Sequence, residues 1–224
     1  MSRLVIFDCD GTLVDSQDSI VRSMRAAFEG QGMTPPAAEA VRRIVGLPLV
    51  MGIRLLAGPE ATEAQTEILA DGYRHALRGL RQAGQIHDPL YPGTREALAE
   101  LSRAGWLMAV ATGKGNQGLR LTLETHGLSD YFLSLQTADG NPGKPHPSMI
   151  LNAIADTGAR PESTVMVGDT TFDMEMSRNA GTLAIGVAWG YHGLDELAAA
   201  GAASVIGDFA DLVPQIHHLL EIAP

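Results

Sequence analysis

The stretch "VIFDCDGTLVDS", residues 5–16, carries an apolar run straight into two acids one residue apart, Asp8 and Asp10, which bracket the only cysteine, Cys9. Neighbouring carboxylates repel each other and resist desolvation, so positive charge must come from elsewhere in the chain. A carboxylate at the carboxyl end of a buried strand, followed by a glycine turn, suits a metal ligand, a nucleophile, or both. Asp10 can point the same way if strand geometry persists; one carboxylate then attacks while the other protonates a leaving group and later takes a proton from water. The competing reading, turn acids that cap a helix, accounts for Asp15 or Asp18 better than for Asp8 and Asp10.

Three further stretches complete a set. In "VATGKG", residues 110–115, Thr112 offers a hydroxyl, and the N–H groups of Gly113 and Lys114, opening the next helix, form an anion seat. The alternative there is an ordinary cap by Thr112. The spacing is not that of a P-loop. In "NPGKPHP", residues 141–147, prolines stiffen a loop that delivers the Lys144 ammonium to a defined place. In "VMVGDTTFDM", residues 165–174, Asp169 ends a strand and Asp173 follows one helical turn later, so both can face one spot.

Acids ending two different strands, Asp8 and Asp169, favour an oxygen-rich Mg²⁺ site over zinc. Four acids, one lysine and one threonine over a metal suit phosphoryl transfer, in which cationic groups and donors hold the equatorial oxygens during in-line attack. Mg²⁺ and Lys144 would then share the field of Asp8 and Asp10.

Those loops need a frame. The short apolar runs at residues 4–7, 107–111, 164–167 and 183–187 read as strands buried on both faces, separated by stretches long enough for crossover helices. The fold class is α/β, a Rossmann-like doubly wound parallel sheet. Helical stripes fill the gaps, several of them stopping at Gly105, Gly127 or Gly158.

About a hundred residues separate the first two of these strands, far more than a crossover needs. They hold helical patterns at roughly 17–30, 37–45, 49–57 and 61–83 and end at "DPLYPG", where Pro89 and Pro92 break the helix. Residues 16–86 therefore read as an all-helical insert, and 1–15 with 87–224 as the α/β core. An insert at this point sits over the carboxyl end of the first strand, where ligands bind in open α/β sheets.

Composition narrows the partners. Twenty-six acids against sixteen Lys plus Arg, a net charge of -10, argue against a general nucleic-acid surface but not against a small anionic substrate met by a metal. An apolar fraction of 45%, no long apolar run and a single cysteine point to a soluble cytoplasmic protein with no membrane span and no disulfide framework.

The four stretches "DCDGTLVDS", "ATGK", "GKPHP" and "GDTTFDM", in this order, resemble the four motifs of the haloacid dehalogenase superfamily. The resemblance implies a core on which the phosphoryl group passes through an aspartyl-phosphate. It makes Asp8 the nucleophile and Asp10 the general acid/base, whose backbone carbonyl also reaches the metal. Thr112 would bind the phosphoryl oxygens, with Gly113 beside it, and Lys144 would steady them and Asp8. Asp169 becomes a direct Mg²⁺ ligand and Asp173 a ligand or a water-mediated support. The insert resembles the cap of the subgroup containing phosphoglycolate phosphatases, β-phosphoglucomutases and bacterial pyrophosphatases.

Departures narrow the choice. Dehalogenases and phosphonoacetaldehyde hydrolases of the superfamily lack an acid at the position of Asp10, which this chain has, and the latter use a cap lysine where residues 16–86 contain none. "GLPLV" resembles the cap loop of phosphoglycolate phosphatases more than that of the mutases. The expected activity is hydrolysis of a small phosphorylated metabolite, 2-phosphoglycolate or a similar ester, by a monomer or homodimer. A phosphosugar mutase, a pyrophosphatase and a noncatalytic domain of the same fold are the alternatives. Arg42, Arg43 and Arg74 are candidates to meet a second negative group on the substrate. Cys9 reads as a packing residue turned away from its acidic neighbours, and His146 and His192 as solvated loop histidines.

Overall fold

A computed structural model describes residues 2–222; Met1 and residues 223–224, the outermost positions of the expected core, lie outside the described residues. In chain order the elements are β1 (Leu4–Phe7), α1 (Gln17–Glu29), α2 (Ala38–Arg42), α3 (Leu49–Ala57), α4 (Glu63–Gln82), α5 (Thr94–Arg103), β2 (Leu107–Thr112) and α6 (Asn116–Thr125). They continue with β3 (Ser134–Thr137), α7 (Ser148–Thr157), β4 (Thr164–Gly168), α8 (Thr171–Ala180), β5 (Leu183–Val187), α9 (Leu194–Ala200), β6 (Ser204–Ile206) and α10 (Leu212–Ile222).

The strands form one parallel sheet in the order β3-β2-β1-β4-β5-β6. Chain direction across the sheet reverses between β1 and β4, the switch point at which doubly wound folds open a crevice. Phe7 pairs with Val110 on one side and Val167 on the other, so the residues that follow β1, β2 and β4 emerge side by side.

Alternation sorts the side chains. Val5, Phe7 and Cys9 join Val110, Val167 and the apolar stripes of α5, α6 and α10 in one buried cluster. Leu4, Ile6, Ala109, Ala111 and Met166 face α7 and α8 in another. The small alanines on that face let α7 lie close to the sheet.

The sequence reading misses β3 and β6. Both are short edge strands, "SLQT" and "SVI", that mix polar with apolar residues because one flank of an edge strand meets solvent, so neither shows a continuous apolar run. One helix end also differs from expectation. The second helix stops at Arg42 rather than 45, as the chain turns towards Gly46, whose φ is 97°, and Pro48. The fourth ends at Gln82, where it is expected, and Gly84 in the left-handed region follows.

The helices α1–α4 have a core of their own. Ile20, Met24 and Phe28 on α1 meet Leu69 and Ala70 on α4, with Val41, Val45 and Ile53 closing the cluster. Thr62 and Gln65 form a capping box that starts α4. Among the described residues no helix is long and apolar enough to cross a membrane.

Candidate active site

Asp8 follows β1 directly, and its backbone N–H donates to the Val167 carbonyl at 2.9 Å, which locks the end of β1 to β4. Its Oδ1 accepts from the Cys9 N–H at 2.6 Å, and its Oδ2 lies 2.7 Å from Lys144 Nζ. The same ammonium lies 2.6 Å from Asp173 Oδ1. These are close ion pairs without hydrogen-bond alignment, so Asp8 Oδ2, Asp173 Oδ1 and Lys144 Nζ stay buried with no well-directed partner.

Asp169, at the end of β4, accepts from Thr12 Oγ1 at 2.8 Å and from the Tyr191 N–H at 2.9 Å. Asp173 occupies the third position of α8, where its Oδ2 accepts from the Thr170 N–H and hydroxyl in a capping box. Gly11, with φ of 83°, makes the turn that brings Thr12 across; a Cβ there would lie 2.3 Å from Asp169 Oδ2.

One oxygen from each of Asp8, Asp169 and Asp173 lies within 4.8 Å of the others, and all three residues are buried. Burial pushes the Asp8 carboxyl up to about 7 despite Lys144, and burial with the neighbouring acids raises Asp169 well above the usual range. Burial pulls Lys144 the other way, but Asp173 and Asp8 outweigh it and hold the ammonium above its ordinary value. Three buried carboxylates around one ammonium leave negative charge uncompensated. An all-oxygen, acid-rich donor set of this kind fits a hard divalent cation such as Mg²⁺.

Asp10 stands apart from that cluster. Its Oδ1 accepts from Ser16 Oγ at 2.5 Å and lies 3.0 Å from Lys114 Nζ. The Ser16 hydroxyl is thus turned to Asp10 rather than to capping α1, although Ser16 is the residue at the helix N-cap. The sequence reading brings Asp10 to the metal through its backbone carbonyl and leaves its side chain for acid/base work; that side chain lines the cavity above the cluster.

Thr112 ends β2, and its hydroxyl accepts from the Lys114 N–H at 3.2 Å. Gly113 and Lys114 do not open the next helix as expected: α6 begins at Asn116, whose N–H donates to Asp139. They form a loop before it. A Cβ on Gly113 would sit 2.6 Å from the Gly46 carbonyl oxygen, and one on Gly143 would strike the Pro48 ring. The segment Gly46–Leu47–Pro48 therefore rests directly on the loops that carry Gly113 and Lys144.

Three side chains of the site go unmarked in the sequence reading: Thr12, Ser16 and Lys114. Ser16 and Thr12 lie inside "DCDGTLVDS", and Lys114 is one of only two lysines in the chain, so their proximity had a signal. His192 corrects the expectation of a solvated loop residue. It is buried, its Nδ1 accepts from the Thr171 N–H at 3.1 Å, and the proton left on Nε2 points to the Arg43 carbonyl at 3.3 Å. Burial lowers its basicity, which favours this neutral form. His146 is exposed, as expected. Cys9 is buried in the core cluster, and burial raises its thiol well above the ordinary value, in keeping with a packing role.

Of the arginines proposed to meet a second anion, only Arg74 lines the cavity. Arg42 pairs with Glu39 and lines a separate groove, while Arg43 clasps Glu196 with two contacts of 2.7 Å.

Residues 5–187 match the family model of haloacid dehalogenase-like hydrolases. The chain is 39% identical over 228 residues to a probable phosphatase, IndB, of Dickeya dadantii, covering 100% of this chain and 97% of that one. It is 30% identical over 219 residues to a phosphoglycolate phosphatase of Vibrio vulnificus, with 94% of each chain covered. The crystal structure of a hydrolase from Pseudomonas syringae superposes with a TM-score of 0.84 at 28% identity over 100% of both chains. With the strand-end loops converging as described and the family match running through all four of them, the chain belongs to the haloacid dehalogenase-like hydrolases.

Proposed function

We propose that the protein is a Mg²⁺-dependent phosphatase that hydrolyses a small phosphomonoester, 2-phosphoglycolate or a similar metabolite, through an aspartyl-phosphate on Asp8. The observation that carries this reading is the separation of two acids on one loop: Asp8 sits in the buried cluster with Lys144, and Asp10 faces the cavity beside Ser16 and Lys114. A nucleophile and a proton donor must occupy different environments if one is to stay ionised while the other exchanges protons.

In the first step an Asp8 oxygen attacks phosphorus, the bond from phosphorus to the ester oxygen breaks, and Asp10 gives that oxygen a proton. In the second, Asp10 takes a proton from water as the water oxygen attacks phosphorus, and the bond to Asp8 breaks to release phosphate. Thr112 and the N–H of Gly113 hold phosphoryl oxygens, and Lys144 orients Asp8 and offsets its charge. Asp8, Asp169 and Asp173, with the Asp10 carbonyl, would hold Mg²⁺, which supplies charge stabilisation for the transferring phosphoryl group when bound.

Residues 16–86 act as a cap that excludes water and reads the leaving group, over a core of residues 1–15 and 87–224. The enzyme acts in the cytoplasm, as a monomer or homodimer, on a small metabolite and without nucleic acid or membrane.

The test is phosphate release by the purified protein with Mg²⁺ across 2-phosphoglycolate, pyrophosphate, hexose phosphates and nucleotides. Turnover abolished by EDTA and by Asp8→Asn supports the reading. Silence across the panel, in protein that binds Mg²⁺, would sink it and return the chain to the mutase or noncatalytic alternatives.

A further inference from the structure

The cavity above Asp8 and Asp10 has a volume of about 420 Å³. Its roof is one face of α4, where Arg74, Arg78 and Arg81 recur at the i, i+4, i+7 spacing that places residues in a row along a helix. Seven residues of helix separate the first from the last, roughly 10 Å of cavity length. Lys114 joins them from the core side, its side chain 15% exposed beside Asp10.

This concentration of cations is anomalous for the chain. With 26 acids against 16 bases, four of the bases line one cavity. Arg74 has a partner in Asp71 at 2.8 Å, on the more exposed side. Among the described residues, Arg78 and Arg81 form no ion pair. Unpaired cations along one wall repel each other and raise a positive potential that a mobile anion lowers. The rest of the lining includes an apolar stretch, with Ile20, Met24 and Leu49 among it.

We infer that α4 selects phosphomonoesters whose leaving group carries a second anionic group, a carboxylate or a further phosphate, held several atoms from the ester oxygen by a body that lies on the apolar stretch. Lys114, beside Asp10, meets the ester end of such a leaving group, and the α4 arginines meet the second anion. A two-carbon acid is too short to span the row, so longer acids and bisphosphates are better substrates than 2-phosphoglycolate. This deepens the phosphatase reading and rests on it.

The experiment compares kcat/KM within pairs that differ in one anion: fructose 1,6-bisphosphate with fructose 1-phosphate, and 6-phosphogluconate with glucitol 6-phosphate, using p-nitrophenyl phosphate as a reporter of phosphatase chemistry alone. The two-anion member is expected to win by at least about tenfold, an advantage that shrinks as salt rises. The double variant Arg78→Gln/Arg81→Gln should cut that ratio about tenfold, chiefly through KM, and Arg78→Lys/Arg81→Lys should restore part of it. Arg42→Gln, in the neighbouring groove, should leave the ratio where it is. Success of one pair alone identifies the second anion as phosphate or carboxylate. Turnover of p-nitrophenyl phosphate with equal constants within both pairs, or an advantage that survives the double variant, overturns the inference and leaves the phosphatase reading standing. No turnover of any ester overturns both.

Discussion

Lys144 and Lys114 are the only lysines in the chain, and each answers an acid of the same loop. Lys144 is sealed below the cavity at 1% exposure, fixed between Asp8 and Asp173 by contacts of 2.7 and 2.6 Å. Lys114 stands in the cavity wall, held to Asp10 at 3.0 Å, and faces the arginines of α4. The floor below is built from strand ends whose register leaves no freedom. The roof is built from long side chains on α4. The difference teaches that, on the proposed function, the groups assigned to the phosphoryl are rigid and dry, whereas those assigned to the leaving group stay solvated and adjustable.

The sharpest break in that comparison is at the floor. Asp8→Asn should reduce phosphate release by about 10⁴-fold or more, measured against p-nitrophenyl phosphate in protein with an unchanged circular dichroism spectrum. Replacing the sealed lysine tests the floor as structure rather than as chemistry. Lys144→Met leaves three buried carboxylates without their ammonium and should lower unfolding stability by about 3–5 kcal/mol, read by denaturant titration near neutral pH without metal. A loss no larger than that of a surface lysine would mean the cluster relaxes into water.

The junction of the two regions comes next. Gly113→Ala puts a Cβ 2.6 Å from the Gly46 carbonyl oxygen, which must lift Gly46–Pro48 off the core loops. A displacement on that scale should cost about 10- to 100-fold in kcat/KM with little change in melting temperature.

Acidity distinguishes the floor by its sign. The Asp8 carboxyl is raised from 3.8 to about 7 by burial, so the metal-free fold holds a proton there that the unfolded chain has released. Its contribution to stability is therefore present at acid pH and lost as pH rises from 3.8 to about 7. In EDTA the melting temperature should fall across that window, and the rise on adding Mg²⁺ should be larger at about pH 8 than at about pH 5 because the carboxylate must be deprotonated to bind it. A metal shift independent of pH would place the ion elsewhere.

The smallest effect belongs to the exposed clasp between Arg43 and Glu196. Glu196→Gln weakens the pair with Arg43, both partners more than 40% exposed, and should speed amide hydrogen exchange at residues 43–47 while leaving the melting temperature unmoved.

Much of the floor is legible in the sequence. Asp8, Thr112 and Asp169 each end an apolar run, and such runs in a parallel sheet terminate on one edge, so their order alone brings them together. The edge strands β3 and β6 are not legible, because a half-exposed strand of three or four residues lacks the pattern that marks a buried one. Nor is the division between Asp8 and Asp10, which depends on the turn at Gly11 and on Ser16 and Lys114 arriving from different segments.

The sequence by itself determined the fold class, the four loops at the sheet edge and the surplus of acid that calls for a cation, since all of these follow from local pattern and composition. Only the tertiary structure decided which cations line the cavity. It turned Arg42 and Arg43 to other partners and lined up Arg74, Arg78 and Arg81 over the cavity, because the rotation of α4 is set by packing Leu69 and Ala70 against α1 and not by the residues that this packing leaves facing the core.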